Sequence, residues 1–482
     1  MITKKLKKIL GSDFVEDGSC VMQEHCWCGS AVTPRMPECV AKPQTREQLQ
    51  KTLRAADEAG VPVYPLSSAA HFLGSADFSA GGIALDLRAM DRILAIDERN
   101  RTVRLEPGVT FGRLHEELAK HNLQALNPFL PHRDKSVLTS SMEREPMVVP
   151  KTEYGEKVLT MEVVFPSGNV FRTGSASVGE PGETQADLVG FTGPGIDYFR
   201  LFKGAQGTFG IVTWINMKAP CRPVKNKYLY VPLQELNGEY CNFLYAIQKK
   251  MIGAECLVLN RFNLSVILSE MGGGSRSKLA AVLPPYLVIL CLSGMQRLPE
   301  IKIDYEEKAV RTTAAQYGLT PEEGISGVKL SEDQITAILT RPWNGDVYWK
   351  EVFKKGFCEI FFYAPLKKTS LYWHMAAKEA AAAGYAPEEI GLYVQPIERA
   401  RAAYIELRFH FDPLNSAEKT TAVSVFEKCS QKIFASGGHF IRPYSPWDDM
   451  VFGRNPDLKK TIQKMKSVFD PNGILNPPVF CF

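Results

Sequence analysis

Residues 201 to 213 read Leu-Phe-Lys-Gly-Ala-Gln-Gly-Thr-Phe-Gly-Ile-Val-Thr, so Gly204, Gly207 and Gly210 fall close together just ahead of a β-branched stretch that begins at Ile211. Glycine loses backbone entropy wherever the chain is ordered, so this concentration implies positive φ angles or a surface that leaves no room for a side chain. Two outcomes fit the spacing: a backbone pressed against a flat ligand, or a bulged hairpin. A second group with chemical potential is Cys20, Cys26, Cys28 and Cys39, the only local concentration of thiols. Its Cys-x5-Cys-x-Cys-x10-Cys spacing fits neither the common zinc patterns nor the ferredoxin ones, and buried free thiols are the expectation. Met271-Gly-Gly-Gly-Ser-Arg-Ser277 has no Gly-Lys-Ser/Thr behind it and reads as a mobile surface loop, not a nucleotide P-loop.

The elements that must position these groups alternate between helix and strand up to about residue 220. Thr45-Arg-Glu-Gln48 can form a capping box ahead of a helix carrying Leu49, Leu53 and Ala56 at helical spacing. Strands are expected at Val61–Tyr64, Ile83–Leu87, Thr102–Leu105, Thr160–Phe165 and Asn169–Arg172, with a helix over Phe111–Lys120. Cys221-Arg-Pro223 reads as a boundary. Beyond it, an alanine-rich helix ends at Gly384, and a basic helix presents Leu458, Ile462, Met465 and Phe469 on one face before stopping at Asp470-Pro-Asn-Gly473. This is the pattern of an α+β or α/β module followed by a second unit of different texture.

Composition bounds the function. The chain has 482 residues, 45% apolar and 23% charged, enough for two or three cores. A net charge of +4 is too small to suggest nucleic acid. The longest apolar run, Leu279 to Leu292, is broken by Pro284-Pro285 and falls short of the roughly 20 residues of a membrane span. Met1-Ile-Thr-Lys-Lys-Leu-Lys-Lys has no apolar stretch behind it, so no secretory signal is read. Eleven scattered cysteines point to reduced thiols in a cytoplasmic compartment.

Placed together, several segments resemble the vanillyl-alcohol oxidase/para-cresol methylhydroxylase flavoprotein family, which also includes FAD subunits of the glycolate oxidase and D-lactate dehydrogenase type. The ending Phe469-Asp-Pro-Asn-Gly-Ile-Leu-Asn-Pro477 is similar to the family's closing motif. Gly193-Pro-Gly-Ile-Asp-Tyr-Phe-Arg-Leu-Phe202, running into the glycine strand, resembles its second FAD-contacting stretch. Glu106-Pro-Gly-Val-Thr110 and Met161-Glu-Val-Val-Phe-Pro-Ser-Gly-Asn-Val-Phe-Arg-Thr-Gly174 are similar to further family joints. The resemblance covers nearly the whole chain. It implies an α+β fold with a PCMH-type FAD-binding domain of two subdomains over about 1–220, an antiparallel-sheet cap or substrate domain over about 221–430, and a C-terminal segment, 431–482, returning to the flavin.

The resemblance also assigns candidate residues. Leu66, Ser67, Ser68, Ala69, Ala70 and His71 stand where relatives wrap the FAD pyrophosphate with backbone N–H groups, most of them with glycines where Ser68, Ala69 and Ala70 stand here. His71, Tyr393 and Tyr404 are alternatives for a covalent tether to the flavin, and His71 is alternatively a polar loop residue. Pro131, Ser136, Ser140 and Ser141, in and before Ser136-Val-Leu-Thr-Ser-Ser-Met-Glu-Arg144, fall where relatives lay hydroxyls and amides along the cofactor. Gly204, Gly207, Gly210, Ile211 and Val212 supply the second contact. Where relatives have Tyr-Gly-Asp-His, this chain has Tyr154-Gly-Glu-Lys157, which makes Glu156 a candidate active-site carboxylate or a plain surface residue paired with Lys157. In Gly437-Gly-His-Phe-Ile-Arg-Pro-Tyr-Ser-Pro-Trp-Asp-Asp449 the family's phenolate-binding Tyr-Arg pair becomes Ile441-Arg442. Arg442 is then a fork for an anionic group, carboxylate as readily as phenolate, with Tyr444 or Glu156 to handle a proton.

The function so implied is FAD-dependent oxidation of a small, anionic or aromatic organic substrate by hydride transfer to flavin N5. The alternatives are a 2-hydroxy-acid dehydrogenase subunit and a degenerate, non-catalytic subunit of a redox complex. The histidine pair and Glu-His-Gly signature of the metal-using hydroxy-acid enzymes have no counterpart, because Arg399 and Glu406 occupy the first pair and Pro443-Tyr444 the second. His410 and His439 are the histidines that could meet in the fold, and no metal is expected. Implied partners are a small-molecule substrate and an electron acceptor, whether a cytochrome, an iron–sulfur protein or an electron-transfer flavoprotein, with a homodimer common among relatives.

Overall fold

Ile2, Leu6 and Leu10 recur every fourth residue and are buried, so the chain opens with a helix, Ile2–Leu10, that the sequence reading did not anticipate. It packs on the helix Arg46–Ala59 through Leu49, Leu53 and Ala56. Thr45 Oγ1 accepts from Gln48 N at 3.2 Å, as a cap should. The Gln48 side chain, however, reaches the amide of Gln44 at 2.7 Å, so the expected capping box forms one residue out of register. The computed structural model describes residues 2–17, 36–68, 78, 80–149, 157–178, 190, 192–444, 446–477 and 479.

Three sheets organise these residues. In the first, Cys39–Ala41, Ile83–Asp86 and Val63–Leu66 run parallel, with Val15–Asp17 antiparallel on the edge. The strand expected at Val61 begins at Val63 because the Val61 amide is taken by the preceding helix, donating to Ala56 O at 3.0 Å. The second sheet is antiparallel in the order Ile93–Asp97, Thr102–Leu105, Ile211–Lys218, Val158–Val164, Val170–Arg172, and the helix Phe111–Lys120 shares its core. The third is a six-stranded antiparallel sheet in the order Lys225–Leu233, Tyr286–Gly294, Glu255–Asn260, Ile390–Ile397, Ala402–Phe411, Gly356–Ala364. Its strands are nearly continuous apolar runs because helices such as Gly238–Lys249 and Ser416–Ala435 cover it.

The Met271–Ser277 loop is shorter than expected, since Arg276 already starts the helix Arg276–Val282 and Gln334 Nε2 holds the Met271 carbonyl at 2.7 Å. The C-terminal helix Pro456–Phe469 lays Ile462, Met465 and Phe469 on the second core, while Leu458, expected on the same face, is exposed. After it the chain crosses to the first sheet, where Val63 N donates to Ile474 O at 2.8 Å and Asn476 N to Val63 O at 2.9 Å. The buried Lys466 ammonium fastens this crossing, donating to Thr208 O at 2.8 Å, Asp470 Oδ2 at 2.5 Å and Leu475 O at 2.6 Å.

Candidate active site

The strand Ala402–Phe411 alternates with period two, so Tyr404, Glu406, Arg408 and His410 point to one face while Ile405, Leu407 and Phe409 fill the core on the other. Register sets Tyr363 opposite Tyr404, Phe361 opposite Glu406 and Glu359 opposite Arg408. Four charges are buried together there. Arg408 donates to Glu359 Oε1 at 2.9 Å and pairs closely with Glu406, and Lys350 Nζ lies 2.7 Å from Glu359 and 3.0 Å from Glu406. The two carboxylates compete for the same cations. Burial opposes ionisation of both, but Lys350 and Arg408 hold Glu359 well below the usual carboxylate range, and its charge then pushes Glu406 upward.

A segment of the first unit, residues 135–145, meets this face. Glu145 pairs closely with Lys135, accepts from Ser140 Oγ at 2.6 Å, and lies 3.7 Å from the Arg442 guanidinium. Burial raises the Glu145 carboxyl, yet Lys135 and Arg442 outweigh it and hold it at about 2. Glu143 feels the same Lys135 and Arg442, but there burial outweighs them and raises the carboxyl. Arg442 Nη2 donates to Tyr404 Oη at 3.1 Å, Tyr404 Oη donates to Glu406 Oε2 at 3.2 Å, and the guanidinium lies 3.9 Å over the Phe361 ring. Between loop and sheet is a cavity of about 400 Å³ of empty volume, its mouth included. Phe129, Tyr348, Trp349, Tyr393 and Tyr404 form its aromatic walls, and Lys135, Glu145, Lys350 and Glu406 its charged ones.

The fold therefore brings together Arg442, Tyr404, Tyr393, Pro131 and, through Glu145, Ser140. Tyr444 is buried in the same region, with Glu143 acting on its hydroxyl. Glu156, Ala69, Ala70, His71, Cys20, Cys26 and Cys28 lie outside the described residues. Leu66 is buried at a strand end, Ser67 Oγ touches Thr139 Oγ1, and Ser68 Oγ accepts from Ser136 N at 2.6 Å. The Ser136 hydroxyl caps the helix Val137–Met142, accepting from Thr139 N at 3.1 Å and donating to Pro107 O at 2.6 Å, while Ser141 Oγ donates to Val137 O at 2.6 Å.

The glycine stretch needs its glycines for the chain itself. At Gly207, with φ +73°, a Cβ would sit 2.5 Å from Pro65 Cγ of the first sheet, and at Gly210, with φ +157°, 2.4 Å from Val163 Cγ1 of the second. The close approach at Gly207 is thus between the two sheets, and that at Gly210 is within the second. Ile211 packs into the first core and Val212 onto the second. His410 and His439 do not meet. His410 sits opposite Phe357 at one end of the strand Gly356–Ala364 and His439 bridges Tyr363 at the other, roughly 20 Å away at strand rise. No cluster of three metal-ligating side chains occurs among the described residues.

Lys135, Glu145, Lys350, Glu359 and Arg408 escaped the sequence reading. One signal was available: Glu406, Arg408 and His410 alternate within an otherwise apolar strand, which a buried strand tolerates only when the charges are paired.

Residues 37–174 match the family described as FAD binding domain. This segment of the chain is similar to that family's FAD-binding domain. It is 27% identical over 275 residues to the glycolate oxidase subunit GlcD of Bacillus subtilis, covering 55% of this chain and 56% of that protein. It is 30% identical over 229 residues to the 4-cresol dehydrogenase [hydroxylating] flavoprotein subunit of Pseudomonas putida, covering 45% of this chain and 42% of that one. The matched segments thus span about half the length of these relatives. Among solved structures, p-cresol methylhydroxylase with substrate bound superposes with a TM-score of 0.83 at 19% identity, over 100% of this chain and 96% of that chain. The 4-ethylphenol oxidase of Gulosibacter chungangensis superposes with a TM-score of 0.82 at 18% identity, over 99% and 96%. These likenesses establish the two-subdomain FAD-binding fold with an antiparallel cap sheet.

The described residues fit the cofactor. Where the two sheets of the FAD-binding unit and the C-terminal crossing converge, Gln206 Nε2 and Asn476 Oδ1 are buried without a hydrogen-bond partner among the described residues, although Asn476 Nδ2 donates to Gln206 O at 2.8 Å. Such an orphaned donor and acceptor can be satisfied by a polar ligand or by ordered water.

Proposed function

We propose that this protein is an FAD-dependent oxidoreductase acting on a small, flat organic anion held in the cavity between the FAD-binding unit and the third sheet. Cofactor contacts are assigned to Ser67, Ser68, Ser136, Ser140, the Gly204–Gly210 stretch, Gln206 and Asn476, and the domain limits remain those of the sequence reading, near 220 and 430. FAD, when bound, accepts a hydride equivalent from the substrate.

The observation that carries the substrate reading is the cavity's charge. Lys135 and Lys350 of the cavity wall, with Arg408 and Arg442 behind it, face Glu145 and Glu359, whose carboxyls are held low, while burial and then the neighbouring Glu359 charge raise Glu406. Excess buried positive charge favours an anionic oxygen, and five aromatic side chains favour a planar body. Arg442 and Tyr404 orient the anion, and Glu406, joined to Tyr404 Oη, exchanges the proton that accompanies oxidation. Phenolate and carboxylate substrates both satisfy this charge, and the relatives named for 4-cresol, glycolate and D-lactate cover both. The buried free thiols fit a reducing, cytoplasmic setting.

The test is a visible spectrum of the purified protein, then anaerobic bleaching with a panel of alkylphenols, aromatic alcohols, glycolate and D-lactate. A yellow protein bleached by one class identifies the substrate chemistry. A colourless protein that does not take up FAD rejects the reading in favour of a non-catalytic subunit. Colour that stays with the acid-denatured chain would place the tether among His71, Tyr393 and Tyr404.

A further inference from the structure

Lys157 has no part in the reading above, and its surroundings demand one. It precedes the strand Val158–Val164, and its carbonyl accepts from Lys218 N at 2.8 Å, so strand pairing fixes its backbone. The side chain is 4% exposed, and Nζ is enclosed without a hydrogen-bond partner among the described residues. A lysine serving only to cover apolar surface keeps its ammonium in water, and this one does not. The charged groups acting on it are Glu145 and Lys135 of the cavity loop and Lys203, which follows the short helix Phe199–Phe202. Lys135 and Lys203 are themselves buried, and Glu145 is already claimed by Lys135 and Arg442. Burying an ammonium without a counter-ion costs several kcal/mol, so the amine is pushed down to about 7, by burial first and by Lys203 and Lys135 after it.

We propose that Lys157 binds an anionic oxygen of the ligand seated beside Lys135, Glu145 and Lys203, taking up one proton from solvent as that ligand enters. The amine becomes an ammonium, no other bond changes, and the ion pair is completed inside the protein. Two ligands carry the required chemistry, the cofactor and the substrate anion. The inference rests on the proposed function for their identity, and on the enclosed amine for the site.

Proton uptake separates the possibilities. Protein freed of FAD by riboflavin starvation is mixed with FAD in weakly buffered solution near pH 8, where the free amine is mostly neutral, and the loaded protein is then mixed with benzoate as a non-oxidisable aromatic anion. About one proton per site is expected in one of the two steps, and none in Lys157→Met at that step. Uptake with FAD assigns the site to the cofactor, and uptake with benzoate assigns it to the substrate. No uptake in either step, or the same uptake in the variant, overturns the proposal. A second measurement needs no ligand. Because the folded amine binds fewer protons than the unfolded one, Lys157→Met should gain stability over wild type most below about pH 7, and the gain should fade towards about pH 10. Parallel stability curves would reject the enclosed, titrating amine even if FAD binding itself failed.

Discussion

At the residue scale, Arg442 carries the strongest functional expectation. Its Nη2 is spent on Tyr404, its Nη1 faces Glu145, and its Nε is buried without a partner among the described residues, so part of the fork is still open to a ligand. Lysine keeps the charge and loses the fork. Arg442→Lys should lower kcat/KM for the anionic substrate about 100-fold, about 3 kcal/mol, mostly through KM and with the flavin absorbance retained. Unchanged steady-state kinetics would remove Arg442 from the substrate's contacts. His410 makes a different prediction. Its ring lies among Phe262, Phe353 and Phe357 with both nitrogens unpartnered among the described residues, and burial, then Arg408, holds it well below the usual histidine range. The unfolded chain therefore binds a proton near pH 6.5 that the folded one refuses, and stability falls as pH drops below that value. His410→Phe should remove this penalty, gaining about 1 kcal/mol on wild type near pH 5.5 beyond any difference at pH 8, by urea unfolding. An equal difference at both pH values would contradict it.

At the scale of elements, the crossing of the C-terminal segment decides whether the two FAD-binding sheets stay in register around the cofactor. Lys466 ties the Thr208 carbonyl, within the glycine stretch, to Asp470 and Leu475, while Asp470 also accepts from Ile474 N at 3.0 Å and Leu475 N at 2.7 Å. Removing one partner of a buried pair costs about 3–5 kcal/mol because the other charge is stranded. Lys466→Met should lose stability of that order, and Lys466→Met/Asp470→Asn should recover part of it. Both should release FAD faster than wild type when followed by flavin fluorescence. A double variant no better than the single would show that the ion pair is not what holds the crossing.

At the scale of the whole molecule, the site belongs to no single sheet. Lys135 and Glu145 come from the FAD-binding unit, Lys350, Glu406 and Arg408 from the third sheet and the segment before it, and Arg442 from the loop that leads towards the C-terminal helix. Local physics made much of the architecture legible: apolar spacing located the helices at 46–59 and 111–120, and glycine density located the close approach at 204–210. Arg442 was legible through its motif. By itself the sequence left open whether the backbone at Gly207 and Gly210 runs against something or bends in a bulged hairpin, because glycine permits both. Only the tertiary structure decided that the something is Pro65 and Val163. Likewise, the sequence supplied Lys157, Glu145 and Glu406 as ordinary charges. Long-range packing removed them from water, and their chemistry follows from which charges the fold then set beside them.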